Sequence, residues 1–342
     1  MSPVLLLTLF LNVPVPASSS SGGSSSLLAA AAASGRPREC MSSVRRALTA
    51  GPSIWERARV PTLQRYCDLV ARAHAELATS PEAAQNDARL ADKALPGRAD
   101  PAVILARAAL AMGALDESAR AFERARTIDA RSVEDPATMH DLARVLQRTG
   151  KRSDALAVYR ALVPRIDLLG SIDRRVSVLL EAAHASMSAS AEAPGSKVEG
   201  GAPADRPKLD EAIAYLREAR QRPATQLAGE VLLSLVLALD RSGDRAQADA
   251  ALSDAHRTGA RVRTGGLDYL ADEGDRLALE ALALEVTDRA QAIKSWEAYL
   301  AGPGGKGAWA GAARSRLEAL RKGAGKAAAP AASKRASGGR KP

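Results

Sequence analysis

Five segments of this chain place a small residue, a bulky one four positions later, and a third apolar one three positions further on. The triplets are Ser118/Phe122/Ala125, Ala155/Tyr159/Leu162, Ala212/Leu216/Ala219, Ala248/Leu252/Ala255 and Ala292/Trp296/Tyr299. Offsets of four and seven fall on one face of an α-helix. A small residue on that face lets a paired helix approach closely, and the large one fills the gap beside the crossing. Two of the segments even open on the same five letters, DRAQA, at 244–248 and 288–292. The pentapeptide reads as a structural junction: an Asp at the turn, then a small residue at the crossing.

Three of these helices follow a punctuated turn. "AMGAL" at 111–115, "RTGKRSD" at 148–154 and "RSGDRAQ" at 241–247 put a Gly where one helix stops and, in the latter two, a Ser or Asp where the next begins. Helix, tight Gly turn, helix is an αα-hairpin, and it recurs. Composition agrees. Hydrophobic residues make up 46% of the chain but aromatics only 3%, so the core is built of Ala, Leu and Val. Ala and Leu hold helices at the least cost, whereas sheets favour β-branched and aromatic residues. The expectation is an all-α protein.

A recurring αα-hairpin with this small/large pattern resembles the tetratricopeptide repeat, a unit of about 34 residues. Leu105, Leu142, Leu235 and Leu279 match that family's buried Leu in the first helix, and Ala106 and Ala143 its adjacent small position. Val236 and Glu280 depart from that position, and the family's early Trp is absent. The resemblance covers about 80–300. It implies a right-handed superhelical solenoid of about five to six hairpins, with first helices lining a groove that holds a partner. The small residues are spaced 37, 57, 36 and 44 apart. The excesses over the unit length predict loop insertions near 188–207 and 259–275. "PTLQRYCDLVARAHAELA" and "PEAAQNDARLADKAL" read as an earlier, degenerate hairpin. "GAWAGAARSRLEALRKG" reads as a closing helix, with Trp309, Ala312, Leu317 and Leu320 covering the last unit. The solenoid is thus expected over 54–321.

The ends carry different information. "VLLLTLFLNV" after Met1-Ser2-Pro3 is too short to span a bilayer and, with Val15 and Ala17 before a cut at Ser18, reads as an export signal over 1–17. Residues 18–53 read as a low-complexity leader. Of the formal net charge of +9, seven charges come from the stretch beginning at Arg321, which has no acidic residue. The segment 322–342 therefore reads as a disordered basic tail. In an exported chain, Cys40 and Cys67, the only two cysteines, are candidates for one disulfide; two unrelated thiols are the alternative.

Signals for catalysis are few. "GPGGKGAW" at 302–309 resembles a phosphate loop only faintly: Leu300 stands where the first Gly belongs and Gly307 where Ser or Thr belongs. His74, His140, His184 and His256 are too scattered to propose a metal site, and no cofactor motif is present. Four residues attract attention for binding. His140, Arg144 and Arg148 form an i, i+4, i+8 stripe, and Arg107 is the equivalent of Arg144 one unit earlier. On the groove side they would grip a carboxylate or an acidic peptide segment; a solvated face is the bland alternative. Leu233, Leu237, Leu277 and Ala281 would make the far end of that groove apolar. The expectation is a non-catalytic scaffold in a bacterial envelope, binding a protein or peptide segment. The rival is a binder of anionic polymer or membrane surface through the basic tail; nucleic acid is disfavoured because no aromatic is interleaved there.

Overall fold

A computed structural model describes residues 37–41, 54–191, 206–222, 226–263, 267, 269–270, 272–307 and 309–327. The expected signal, most of the leader, the middle of the first insertion and the tail beyond 327 lie outside the described residues. Two compact units are distinguished, Met1–Val60 and Pro61–Pro342. In the first, the described residues are a 3-10 turn, Arg38–Cys40, and the opening of a helix. Neither Cys40 nor Cys67 is a free thiol, and both are buried.

All regular structure among the described residues is helical. Thirteen α-helices follow one another: α1 (Ile54–Glu76), α2 (Pro81–Ala94), α3 (Ala99–Ala111), α4 (Leu115–Ile128), α5 (Pro136–Arg148), α6 (Arg152–Leu162), α7 (Ile172–Ala191), α8 (Arg206–Gln221), α9 (Ala228–Ser242), α10 (Arg245–Thr258), α11 (Glu273–Thr287), α12 (Arg289–Ala301) and α13 (Ala310–Ala327). Adjacent helices pack in pairs, α3 with α4, α5 with α6, α7 with α8, α9 with α10 and α11 with α12. The odd-numbered helices also touch one another, α3 with α5, α7 with α9 and α9 with α11, while the even-numbered ones make no comparable contact. The odd helices from α3 to α11 thus form an inner layer, closely packed at α3/α5 and at α7/α9/α11, and the even helices a second, more widely spaced one.

Three of the turns within the pairs, α3/α4, α5/α6 and α9/α10, are built alike. Gly113, Gly150 and Gly243 all adopt left-handed φ, between 77° and 81°. After each, the next N–H reaches back five residues, Ala114 to Ala109, Lys151 to Leu146 and Asp244 to Leu239, at 2.8–3.0 Å. This is the Schellman closure, which satisfies helix-end carbonyls and needs a residue without Cβ at the left-handed position. The repeated DRAQA is the start signal that follows. Asp244 caps α10 by accepting from the N–H of Gln247, and Asp288 caps α12 by accepting from that of Gln291.

Fourteen of the fifteen face residues expected at the helix crossings are buried, including all five small ones, each without accessible surface. Leu252 is the exception and is only half-buried. Its neighbour Ala251 is buried instead, because the long connection after α10 leaves that helix in thin contact with α11. Glu280, at the family's small position, is exposed, and the crossing there is made by Ala278 and Ala281.

The insertions are shorter than the sequence suggests: α7 runs on to Ala191 and α8 starts at Arg206. The closing helix is longer, reaching Ala327 and so six residues into the stretch read as tail. The glycines of "GPGGKGAW" serve packing. A Cβ on Gly304 would collide with the Tyr299 ring, and one on Gly305 with the Leu300 carbonyl.

Ala155→Leu will overfill the α5/α6 crossing. It should cost about 1–3 kcal/mol, measured as a lowered urea midpoint with helical circular dichroism retained.

Candidate partner-binding face

The odd-helix layer carries buried charges, which are expensive unless paired. Arg107 on α3 donates from Nε to Asp141 on α5 at 2.7 Å. His140, next to Asp141, lies 3.0 Å through Nε2 from the Glu181 carboxylate on α7. Glu181 also accepts from the Tyr159 hydroxyl at 3.0 Å and from Ser177 Oγ at 2.7 Å. Arg144 Nε stands 3.4 Å from the same carboxylate. Burial alone would raise the Glu181 pKa, but His140, Arg144 and Ser177 outweigh it and bring it down to about 2.

Two of the four candidate residues, His140 and Arg144, are thus drawn together on Glu181, while Arg107 binds Asp141 and Arg148 stands apart. Arg107 and Arg144 face carboxylates within the molecule, and Arg148 is exposed at the end of α5. His140 does not face a groove: it is 3% exposed and filled in by its own partners. A lone imidazole on an otherwise apolar face was drawn inward because Glu181 and Tyr159 supply polar company there. The stripe therefore climbs from interior to solvent along α5, and only its Arg148 end is exposed.

The pairing continues toward the C-terminus. His184 on α7 meets Ser234 on α9 at 2.9 Å through Nε2 and lies 3.9 Å from Asp275 on α11 through Nδ1. Asp275 also holds Arg241 of α9, whose guanidinium sits 5.0 Å from the centre of the Trp309 ring. Burial would raise the Asp275 pKa; Arg241 and His184 overcome it and hold the group strongly acidic. On α13, Arg316 binds Asp240 at 2.6 Å and Glu285 at 3.4 Å, fixing the closing helix.

The supposed apolar end of the groove is not open. Leu233, Leu237 and Ala281 are buried and Leu277 is half-buried. The connection between α10 and α11 packs into the same core through Ala260, Leu267 and Tyr269. Its backbone at Arg261 lies so close to Gly229 that a Cβ there would meet the Arg261 nitrogen at 2.7 Å. Its Arg263 binds the fully buried Glu230 at 2.8 Å, and Tyr269 meets the His184 ring edge-on at 5.6 Å. A strap of the chain itself thus packs against the start of α9 and against His184 of α7, and Leu237 lies instead among residues of α11, α12 and the closing helix.

Glu181, His184, Glu230 and Asp275 were missed from the sequence. A signal existed: "VSVLLEAAHASM" sets one Glu and one His in an apolar helix run, where a charge needs a buried partner. Among the described residues no cluster of His, Cys, Asp and Glu is arranged to hold a metal ion, and no helix is long and apolar enough to cross a membrane. No protein-family model matches the chain, and no curated protein matches it in sequence.

Two substitutions and an acid titration probe this face. Glu181 is depressed from 4.5 to about 2 and His74 from 6.5 to about 4, the latter mainly by burial and then by Arg107. In both cases the unfolded chain binds more protons inside the window, so stability rises with pH. The His74 contribution is whole above pH 6.5 and fades toward 4; the Glu181 contribution is whole above 4.5 and fades toward 2. Urea midpoints should fall in two stages on acidification, and His74→Gln should flatten only the first. Arg263→Ala leaves Glu230 buried without its cation and should cost about 3–5 kcal/mol by chemical denaturation.

Proposed function

We propose that the chain is a non-catalytic scaffold of the tetratricopeptide type, in which a partner protein or peptide segment is held against the odd-helix layer at the α5 end. The observation that supports this most is the layer itself. Paired helices stand in register on a framework whose buried charges already have partners, so a rigid face meets the partner and little ordering entropy is lost on binding. A separation of 34 residues, the length of the family's unit, recurs in the contacts Tyr66–Asp100, Arg107–Asp141, Arg220–Asp254 and Arg241–Asp275. Arg148 supplies an exposed cationic group at the open end, suited to a carboxylate or acidic segment. An envelope location and a cleaved signal are part of the same reading and rest on residues 1–17 alone. Contact of the basic tail with an anionic surface is a subsidiary role; of its cations, Lys322 lies near Glu318 on α13.

A photo-cross-linking residue placed at 151, exposed in the turn after α5, should join the chain to one discrete protein in native extract, whereas one at 214, exposed on α8, should not. Arg148→Glu should weaken that capture at least tenfold without changing the urea midpoint. Equal labelling from both positions, or capture indifferent to Arg148→Glu, would remove the α5 end as the binding face.

A further inference from the structure

A cavity of about 210 Å³ opens on one edge of the stack, where α8 and α10 end and α7 and α9 begin. Its floor is apolar, made by Val176, Val231 and Leu232, all buried. Its rim is cationic: Arg220, Arg222 and Arg257 line it beside a single carboxylate, Asp254. Asp254 is shared, accepting from Arg220 at 2.7 Å and from Arg257 at 2.9 Å. Arg222 is turned to Glu218 and Asp167 at 2.8 and 3.1 Å, and its buried Nε has no acceptor. Each guanidinium carries five donors, so the rim offers more donors than its carboxylates consume.

Beside this mouth lie two of the chain's exposed large apolar side chains. Leu168 is 69% exposed and Ile172 42%. Asp167, which Arg222 binds, precedes Leu168, and Ile172 sits one helical turn before Val176 on the same face of α7. An apolar ledge therefore leads to an apolar floor, with positive charge around it.

We propose that this cavity is a docking socket for a partner protein segment presenting one bulky apolar side chain flanked by carboxylates. The volume selects the occupant. It falls below the roughly 300–1,000 Å³ of sites that enclose a whole small molecule, and it suits one large side chain. The ledge accepts the apolar flank of the same segment, and the arginines accept its carboxylates. The proposal rests on the scaffold reading but places a contact on the edge of the stack rather than on the odd-helix face.

The full chain would be titrated by calorimetry with the acetylated peptide Asp-Glu-Phe-Glu-Asp. Binding is expected to weaken at least tenfold when Phe is replaced by Ala, when the four acids are replaced by Lys, or when salt is raised. Thr258→Trp, at an exposed position on the rim, and Arg257→Glu should each weaken it at least tenfold with the urea midpoint unchanged. Arg148→Glu should leave it as it was. Absence of binding, equal binding of the Lys peptide, or indifference to Thr258→Trp would overturn the socket. Binding of 4-phenylbutyrate with none of the peptide would assign the cavity to a small anion and overturn it too. A peptide lost on Arg148→Glu but not on Thr258→Trp would leave the odd-helix face standing and remove the socket. The reverse pattern supports the socket and separates its fate from that of the face.

Discussion

The stack depends on charges buried between successive odd-numbered helices. A core of Ala, Leu and Val with few aromatics has little shape to tell one helix register from another, since small side chains slide past one another at low cost. Buried ion pairs do discriminate. Their net contribution is small once desolvation is counted, but a slip that separates them strands a charge in the interior and costs about 3–5 kcal/mol. Arg107–Asp141, Arg241–Asp275 and Arg316–Asp240 each join one odd helix to a later one, and the His140–Glu181 hydrogen bond joins α5 to α7. The apolar crossings hold each pair together, and the charges set where one pair sits on the next.

How much of this was legible follows from the range of each interaction. The crossings within pairs are encoded locally: an alanine, a bulky residue four later and a glycine turn lie within one hairpin, and Ala155, Tyr159 and Gly150 could be read directly. The charge pairs are encoded at long range. Glu181 finds His140 across 41 residues and the whole of α6, and neither residue's immediate neighbours announce the other. Leu252 shows the same limit from the other side. It keeps the local pattern, yet it is left half-buried by a connection that begins seven residues after it. The four candidate binding residues illustrate both cases: the helical stripe on α5 was predicted by period, but its inward turn at His140 was set by Glu181 and Tyr159.

The strap after α10 explains why a repeat pattern overestimates the open surface. An array of identical hairpins would leave its inner face bare, and insertions are ordinarily read as loops that run away into solvent. Here the inserted residues return to the protein. Glu230 would be an isolated buried anion without Arg263, and Gly229 has no side chain to keep the Arg261 backbone away. The insertion and the acid it neutralises therefore form one structural unit, and the face they occupy is interior rather than groove.

A second set of pairs ties the even helices together, and its physics differs. Asp92–Arg124, Arg160–Glu211 and Arg220–Asp254 span neighbouring even helices with long, solvated side chains. Such exposed pairs contribute about 0–1 kcal/mol each, so their geometry is held weakly and a substitution there leaves the fold intact. The same 34-residue separation produces both Arg241–Asp275 and Arg220–Asp254; burial alone makes the first a constraint on the stack and the second an adjustable rim. An all-helical chain of this construction is therefore conservative on its closely packed layer and permissive on its spaced one. Interior charges that have partners within the fold are poor material for recognition, because recruiting them to a ligand uncovers a buried counter-charge. Guanidiniums on the spaced layer, sharing a carboxylate at the surface, can exchange it for a partner's at little cost to the fold.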